Sequence, residues 1–383
     1  MDGNQNLNSK KNSAKLKAEQ KKKKRRKQII LFVVEIVVLL VLVVAFWGVS
    51  TLKKIGHVTI SDDDITINDE VAEATENGEM KGYRNIALFA VDSTSGALTG
   101  NTRTDTMIIA SINQDTKEIK LVSVYRDTYL NQGTDTYGKA NGAYAAGGAK
   151  QAIYMLNMNL DMNITDFVTC GFEALIDAID ALGGIEIEVT EEEISHLNNY
   201  QISISGEPDG TLNAAGEPNY YATPYVDYTP VTEAGLQTLN GLQATAYCRI
   251  RYVGNDYART NRQRIVLQKV LEKCKTTNPV TLAAIAEDVF PKVLTSLELS
   301  DILSLLGDVA NYSMGEKGSF PFTDHFYTGT IGSKGSCIVP TTLEDNVILL
   351  HEFLFGESDY EPSETVKTCS QKIYADTNQY ISQ

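Results

Sequence analysis

The sequence predicts an α/β layered domain on a single N-terminal transmembrane anchor, and three observations predict it. An apolar run, Ile29 to Val49, follows a dense basic segment. Short β-rich runs with turn residues between them begin at Asn85. Runs of helical periodicity then alternate with further strand-like segments, the pattern of helices layered on a sheet.

Charge divides the chain before any motif does. Residues 1–28 carry eleven Lys/Arg against two acids, whereas residues 53–383 carry 23 basic and 46 acidic side chains. Between them, the 21 residues from Ile29 to Val49 hold a single charge, Glu35. At about 1.5 Å per residue that run reaches about 30 Å, the thickness of a bilayer's hydrocarbon core. "KKKKRRK" directly before it and Trp47 near its far end set the orientation. Residues 1–28 are expected as a basic cytoplasmic tail, 29–50 as the transmembrane helix, and everything beyond as extracytoplasmic. No small-x-small cleavage site follows, so an uncleaved anchor is expected. The basic run is read as a topology signal with attraction to anionic lipid, not as a nucleic-acid site.

Residues 51–80, with "SDDDITINDE", read as an acidic linker. The main folded domain is expected over 81–275. "NIALFAV" is a strand that stops at Asp92; "TMIIASI" and "EIKLVSV" form a hairpin across "NQDTK". "KANGAYAAGG" reads as a small-residue loop before a helix, and "FEALIDAIDALGG" as an amphipathic helix closed by glycines, with the strand "IEIEV" after it. Residues 191–235 read as a long irregular excursion. A short helix, a strand-like "AYCRIR", a loop and a long helix from about Asp256 follow. Residues 276–383 are expected as an extension of the same ectodomain, with the helix "LSDILSLLGDVANY" and one or two late strands.

Five scattered cysteines and four histidines show neither zinc spacing nor a nucleophile motif, which argues against a Ser/His or Cys/His hydrolase. The arginines carry more information. Beyond the anchor there are eight, and seven of them (103, 126, 249, 251, 259, 262 and 264) fall in three short segments, while fifteen lysines are spread elsewhere. The planar fork of arginine suits bidentate binding of phosphate oxygens. The hairpin returns both of its ends to one sheet edge, so Arg103, Asp105, Arg126 and Asp127 should gather there, joined by Asp92. In the long helix, Arg259 and Gln263 share a face with Val266 and Val270, the face expected to pack on the core; Arg264 and Gln268 should be solvated on the opposite side. Asp256 suits an N-cap.

Carboxylates would repel a phosphate bound by these arginines unless a divalent cation lies between them. Mg²⁺ takes one or two carboxylates plus substrate phosphate oxygens, so Asp92 and Asp105 are the metal candidates and phosphoryl transfer is the expected chemistry. A carboxylate can also accept the proton of an attacking hydroxyl.

The stretches "NIALFAVDS", "TRTDTMIIASIN", "IKLVSVYRDTYL", "KANGAYAAGG", "FEALIDAIDALGGIEIEV" and "LNGLQATAYCRIRYVGNDYARTNRQRIVLQKVL" together resemble the LytR-CpsA-Psr family over roughly residues 84–275. The resemblance implies an α/β fold with a central mixed sheet flanked by helices and an apolar pocket for a prenyl chain. It implies an extracytoplasmic enzyme that transfers a glycopolymer (teichoic acid, capsular or other wall polysaccharide) from a polyprenyl-pyrophosphate carrier to peptidoglycan, forming a phosphodiester. Asp92 and Asp105 match the family's Mg²⁺ (or Mn²⁺) pair. Arg103, Arg126, Arg249, Arg251, Arg259 and Gln263 match residues around the pyrophosphate, with Asp256, Asp127 and Arg262 as further motif positions. Tyr125 stands where the family commonly has proline. A lipid-pyrophosphate sensing module, or a pyrophosphatase that uses water, is the alternative. A DNA-binding regulator is disfavoured because the arginines sit in a strongly acidic domain expected across the membrane from DNA.

Overall fold

The β-rich runs that begin at Asn85 become the middle of a seven-stranded mixed sheet in the computed structural model. It describes residues 55–61, 65, 67–91, 98–99, 102–133, 135–205, 207–212, 218–221, 228–254 and 256–380. The expected anchor and Asp92 lie outside the described residues. Among the described residues no helix is long and apolar enough to cross a membrane. The chain divides into two units, Met1–Lys53 and Lys54–Gln383, and every described residue belongs to the second.

In chain order the elements are β1 (Gly56–His57), α1 (Asp69–Asn77), β2 (Tyr83–Val91), β3 (Thr104–Asn113), β4 (Glu118–Val124), β5 (Tyr129–Asn131) and β6 (Tyr137–Lys139). Next come α2 (Asn141–Leu160), β7 (Asp166–Gly171), α3 (Phe172–Ala181), β8 (Ile185–Val189), α4 (Glu191–Ser205), β9 (Glu207–Leu212), β10 (Pro218–Tyr221), β11 (Gly235–Leu239), α5 (Gly241–Arg249) and α6 (Asp256–Thr276). The remainder is α7 (Pro279–Val289), β12 (Val293–Thr295), α8 (Leu299–Gly307), β13 (Ser313–Phe320), β14 (Phe326–Thr330), β15 (Ser336–Pro340), α9 (Leu343–Phe355) and α10 (Glu364–Thr377).

The sheet order is β1-β12-β7-β2-β3-β4-β13. The expected hairpin is present: β3 runs antiparallel to both β2 and β4, while β7 lies parallel to β2 and β13 parallel to β4. Side chains alternate between the two faces with period two. Phe89, Met107 and Ile109 join a core with Ile153 and Leu156 of α2 and Leu350 of α9. On the other face Ile108 and Leu121 meet Leu267 of α6, and Ile86 and Ile112 meet Ile302 of α8. Helices therefore cover both faces of a mixed sheet.

Several local readings change. "AYCRIR" is not a strand: Asn240 and Gln243 form a reciprocal capping box that starts α5, and the helix runs on through Cys248. The strand lies just before it, where β11 pairs antiparallel with β8. "KANGAYAAGG" is mostly helical; α2 begins at Asn141 and is interrupted at Gly147 and Gly148, where φ at Gly148 is +68°. Residues 191–205 of the expected excursion are α4, and residues 69–77 of the expected linker are α1, with Val71 fully buried.

One buried carboxylate ties the ends of the domain together. Asp161, at the C-terminus of α2, accepts from Asn68 Nδ2 before α1 and from Ser363 N and Oγ, at 2.8 and 2.7 Å, before α10. Beside it, His351 of α9 stacks on Tyr360 at 3.6 Å between ring centroids. Its Nε2 lies 3.3 Å from Leu160 O, and its buried Nδ1 has no hydrogen-bond partner among the described residues, the arrangement of a neutral ring that donates from Nε2. Burial lowers its pKa from 6.5 to about 4. Because the unfolded chain takes up this proton first, the contribution to stability is complete above about pH 6.5 and is lost as pH falls to about 4, by at most about 3 kcal/mol. Urea denaturation at successive pH values measures the slope, and His351→Leu should flatten it within that window.

Candidate functional site

The helix face that carries Arg259, Gln263, Val266 and Val270 lies across the sheet and leaves a cavity of about 480 Å³ beneath it. Its walls are apolar: Leu88 of β2, Ile108 of β3, Val168 of β7 and Leu175 of α3 face Val266 and Val270 of α6. Such a volume suits a small-molecule or lipid ligand. Cys170 and Cys248 also line it, and burial pushes their thiols up to about 11 and about 12. Both are neutral wall groups at ordinary pH, not nucleophiles.

Polar groups gather at the rim. Asp105, near the start of β3, lies with Arg249, Arg251, Arg259 and Gln263 around the cavity. Arg259 is only 4 % exposed. Arg249 lies over the Phe172 ring at 5.0 Å and over the Tyr200 ring at 5.6 Å, held in place by two aromatic faces. Arg251 reaches to 3.9 Å from Asp105 Oδ1 and keeps 42 % of its side chain exposed. Arg126, just beyond β4, makes an ion pair with the same oxygen, as the hairpin geometry required. Its Nε lies 3.5 Å from Asp127 Oδ2, and Asp127 pairs with Lys139 at 3.0 Å, so Asp127 braces Arg126 from outside the cavity.

Not every expected residue joins them. Arg103 is exposed and does not line the cavity. Arg262 is turned away: it is buried, pairs with Glu193 of α4 at 2.7 Å, and donates to Ile250 O at 3.0 Å and Val253 O at 2.7 Å. Its role is to hold the backbone that carries Arg249 and Arg251, not to meet a ligand. Arg264 is not solvated either; it donates to Gly318 O of β13, and burial lowers its pKa from 12.5. Asp256 opens α6 one turn before Arg259. Sequence reasoning missed Phe172, Tyr200 and Glu193. An aromatic and an acid on helices distant in sequence give no local sign of their arginine partners.

A metal can be tested against this donor set. Among the described residues no three His, Cys, Asp or Glu side chains cluster as a cation cage. Asp105 meets Arg126 and Arg251 through Oδ1. A carboxylate beside a cationic rim fits a hard ion that takes its other ligands from phosphate and water. Asp105 is therefore compatible with Mg²⁺ or Mn²⁺, with Asp92 as the further expected ligand.

The family described as "LytR_cpsA_psr family" matches residues 49–321. Biofilm regulatory protein A of Streptococcus mutans is 34% identical over 238 residues, 58% of this chain and 52% of the relative. A polyisoprenyl-teichoic acid–peptidoglycan teichoic acid transferase, TagU of Enterococcus faecalis, is 29% identical over 227 residues, 58% of this chain and 64% of the relative. The chain thus spans a half to two thirds of these relatives' length. A solved Streptococcus agalactiae protein superposes with a TM-score of 0.58 at 26% identity, covering 79% of this chain and 97% of its own. TagT with bound octaprenyl pyrophosphate lipid shares the fold at a TM-score of 0.51 and 17% identity, covering 84% of this chain and 100% of its own.

Proposed function

Because the chain belongs to the LytR-CpsA-Psr family, we propose that it transfers a glycopolymer from a polyprenyl-pyrophosphate carrier to peptidoglycan. One observation carries this reading: an apolar cavity of about 480 Å³ lies beside Arg249, Arg251, Arg259, Gln263 and Asp105. A prenyl chain requires the apolar part, and a pyrophosphate requires the rim. The names of the relatives, teichoic acid transferases among them, support the choice of glycan.

In the proposed reaction Arg249, Arg251 and Arg259 bind the pyrophosphate, Gln263 hydrogen-bonds to it, and Arg126 offsets charge on the transferred phosphoryl group. Asp105 and Asp92 would hold Mg²⁺ or Mn²⁺, which supplies charge neutralisation at the phosphate oxygens. A sugar hydroxyl of the acceptor forms a new P–O bond to the sugar-proximal phosphorus as the bridging P–O bond breaks. The hydroxyl proton passes to a carboxylate, Asp105 or Asp92, and polyprenyl phosphate leaves with the bond's electron pair. The apolar run Ile29–Val49 would tether the enzyme in the cell membrane, with residues 1–28 cytoplasmic and the catalytic domain outside.

The test is reconstitution with a lipid-linked glycan, followed by release of polyprenyl phosphate and labelling of peptidoglycan. Absence of labelled peptidoglycan despite donor cleavage overturns the transferase reading in favour of a pyrophosphatase. Leu175→Trp should fill the cavity and raise the donor KM at least tenfold, equal to about 1.4 kcal/mol, while inorganic pyrophosphate binds as before. Equal loss for both ligands would place the prenyl chain elsewhere.

A further inference from the structure

Transfer at phosphorus dictates where an acceptor must stand. In-line displacement sets the attacking and leaving oxygens on opposite sides of the phosphoryl group. With the lipid phosphate leaving on the cavity side, the hydroxyl arrives from the opposite side of the phosphoryl group. An aromatic ledge begins next to Arg126 in the chain. Tyr125, next to Arg126 in sequence, packs edge-on against Tyr257 with ring centroids 4.9 Å apart, and Tyr257 meets Phe326 of β14 at 5.2 Å. Tyr257 and Phe326 are half-buried, and none of the three lines the cavity.

The hairpin that carries Phe326 is fixed to the catalytic edge. Ile338 N of β15 donates to Asp127 O at 3.0 Å, and Thr128 forms a β-bridge with Ile338. Lys139 is paired with Asp127 at 3.0 Å at the same junction, and Lys334, exposed between β14 and β15, comes near enough to Gly138 that a Cβ there would lie 3.6 Å from its Nζ. In an ectodomain with 46 acids against 23 bases, an anionic polymer needs local positive charge of this kind.

We propose that the β14–β15 hairpin and Tyr257 form the acceptor subsite: Tyr257 and Phe326 stack on a sugar ring, and Lys334 meets a carboxylate of an anionic glycan. This rests on the transferase reading, since it assigns the acceptor that the reading requires. The C-terminal segment then selects the acceptor, while the arginine rim selects the donor.

The experiment uses the full chain in lipid nanodiscs with a lipid-linked glycan donor and soluble peptidoglycan oligomers. Phe326→Ala should raise the acceptor KM about tenfold, with donor KM and donor hydrolysis unchanged. Lys334→Glu, at an exposed position that leaves folding intact, should raise the KM about fivefold for carboxylate-bearing oligomers and not for amidated ones. If Phe326→Ala also shifts the donor KM, it has disturbed the fold, and Lys334→Glu alone decides. An unchanged acceptor KM in Lys334→Glu with continued transfer overturns the subsite and leaves the transferase reading intact. Wild-type protein that cleaves donor but never labels the oligomers overturns both.

Discussion

Arg259→Ala should reduce kcat/KM for glycan transfer by about 10³-fold while the folded domain remains. The size follows from the position of Arg259. It is almost completely buried at the cavity rim, one helical turn from Gln263, where water does not screen its charge. A guanidinium there acts on the charge that develops as the bridging P–O bond breaks, so the loss should fall on kcat as well as on KM. Arg259→Lys should recover only part of it, because an ammonium cannot make the paired, planar contacts of the fork. The measurement is transfer from a lipid-linked donor alongside thermal unfolding. If Arg259 merely braced the fold, unfolding would move to lower temperature and the surviving folded protein would turn over at the wild-type rate.

Glu193→Ala should cost about 3–5 kcal/mol of stability, the usual penalty for removing one partner of a buried ion pair. Glu193 and Arg262 are both buried, and the acid does two jobs: Oε1 takes Arg262 at 2.7 Å, and Oε2 accepts from Thr190 N at 3.0 Å where α4 begins. Without it, Arg262 keeps its bonds to Ile250 O and Val253 O but carries an uncompensated charge inside the domain. Replacing the pair together, as Glu193→Met with Arg262→Leu, should cost markedly less than Glu193→Ala, because no charge is then stranded. Denaturant unfolding of Glu193→Ala and the double variant makes the comparison. Equal losses for Glu193→Ala and the double variant would show that packing, not charge, is what the pair supplies. Because Ile250 lies between Arg249 and Arg251, the folded fraction of Glu193→Ala should also bind the donor more weakly.

Local pattern carried much of the architecture. The alternation of Ile86, Leu88 and Ala90 against Ala87, Phe89 and Val91 specifies a strand with two buried faces, and the short polar turn after Asn113 specifies the hairpin that brings Arg126 to Asp105. The four-residue spacing of Arg259 and Gln263 placed both on the cavity face of α6. Where local pattern misled, a neighbour decided the outcome. "AYCRIR" has β-rich composition, but the capping box of Asn240 and Gln243 commits it to helix. Arg264 reads as a solvated arginine until β13 offers it the Gly318 carbonyl.

Residue type and spacing alone determined an arginine-rich cluster beside Asp105, a long helix that aims Arg259 inward, and a family resemblance that runs through both. Only the tertiary structure decided which arginines face the cavity. Arg259 and Arg262 are three residues apart on one helix and differ by about 60° around its axis, too little for periodicity to separate their roles. One reaches the cavity, while the other meets a carboxylate 69 residues earlier in the chain. A charge settles wherever its desolvation is best repaid, and that partner is supplied by packing between distant segments, which no local window of sequence contains.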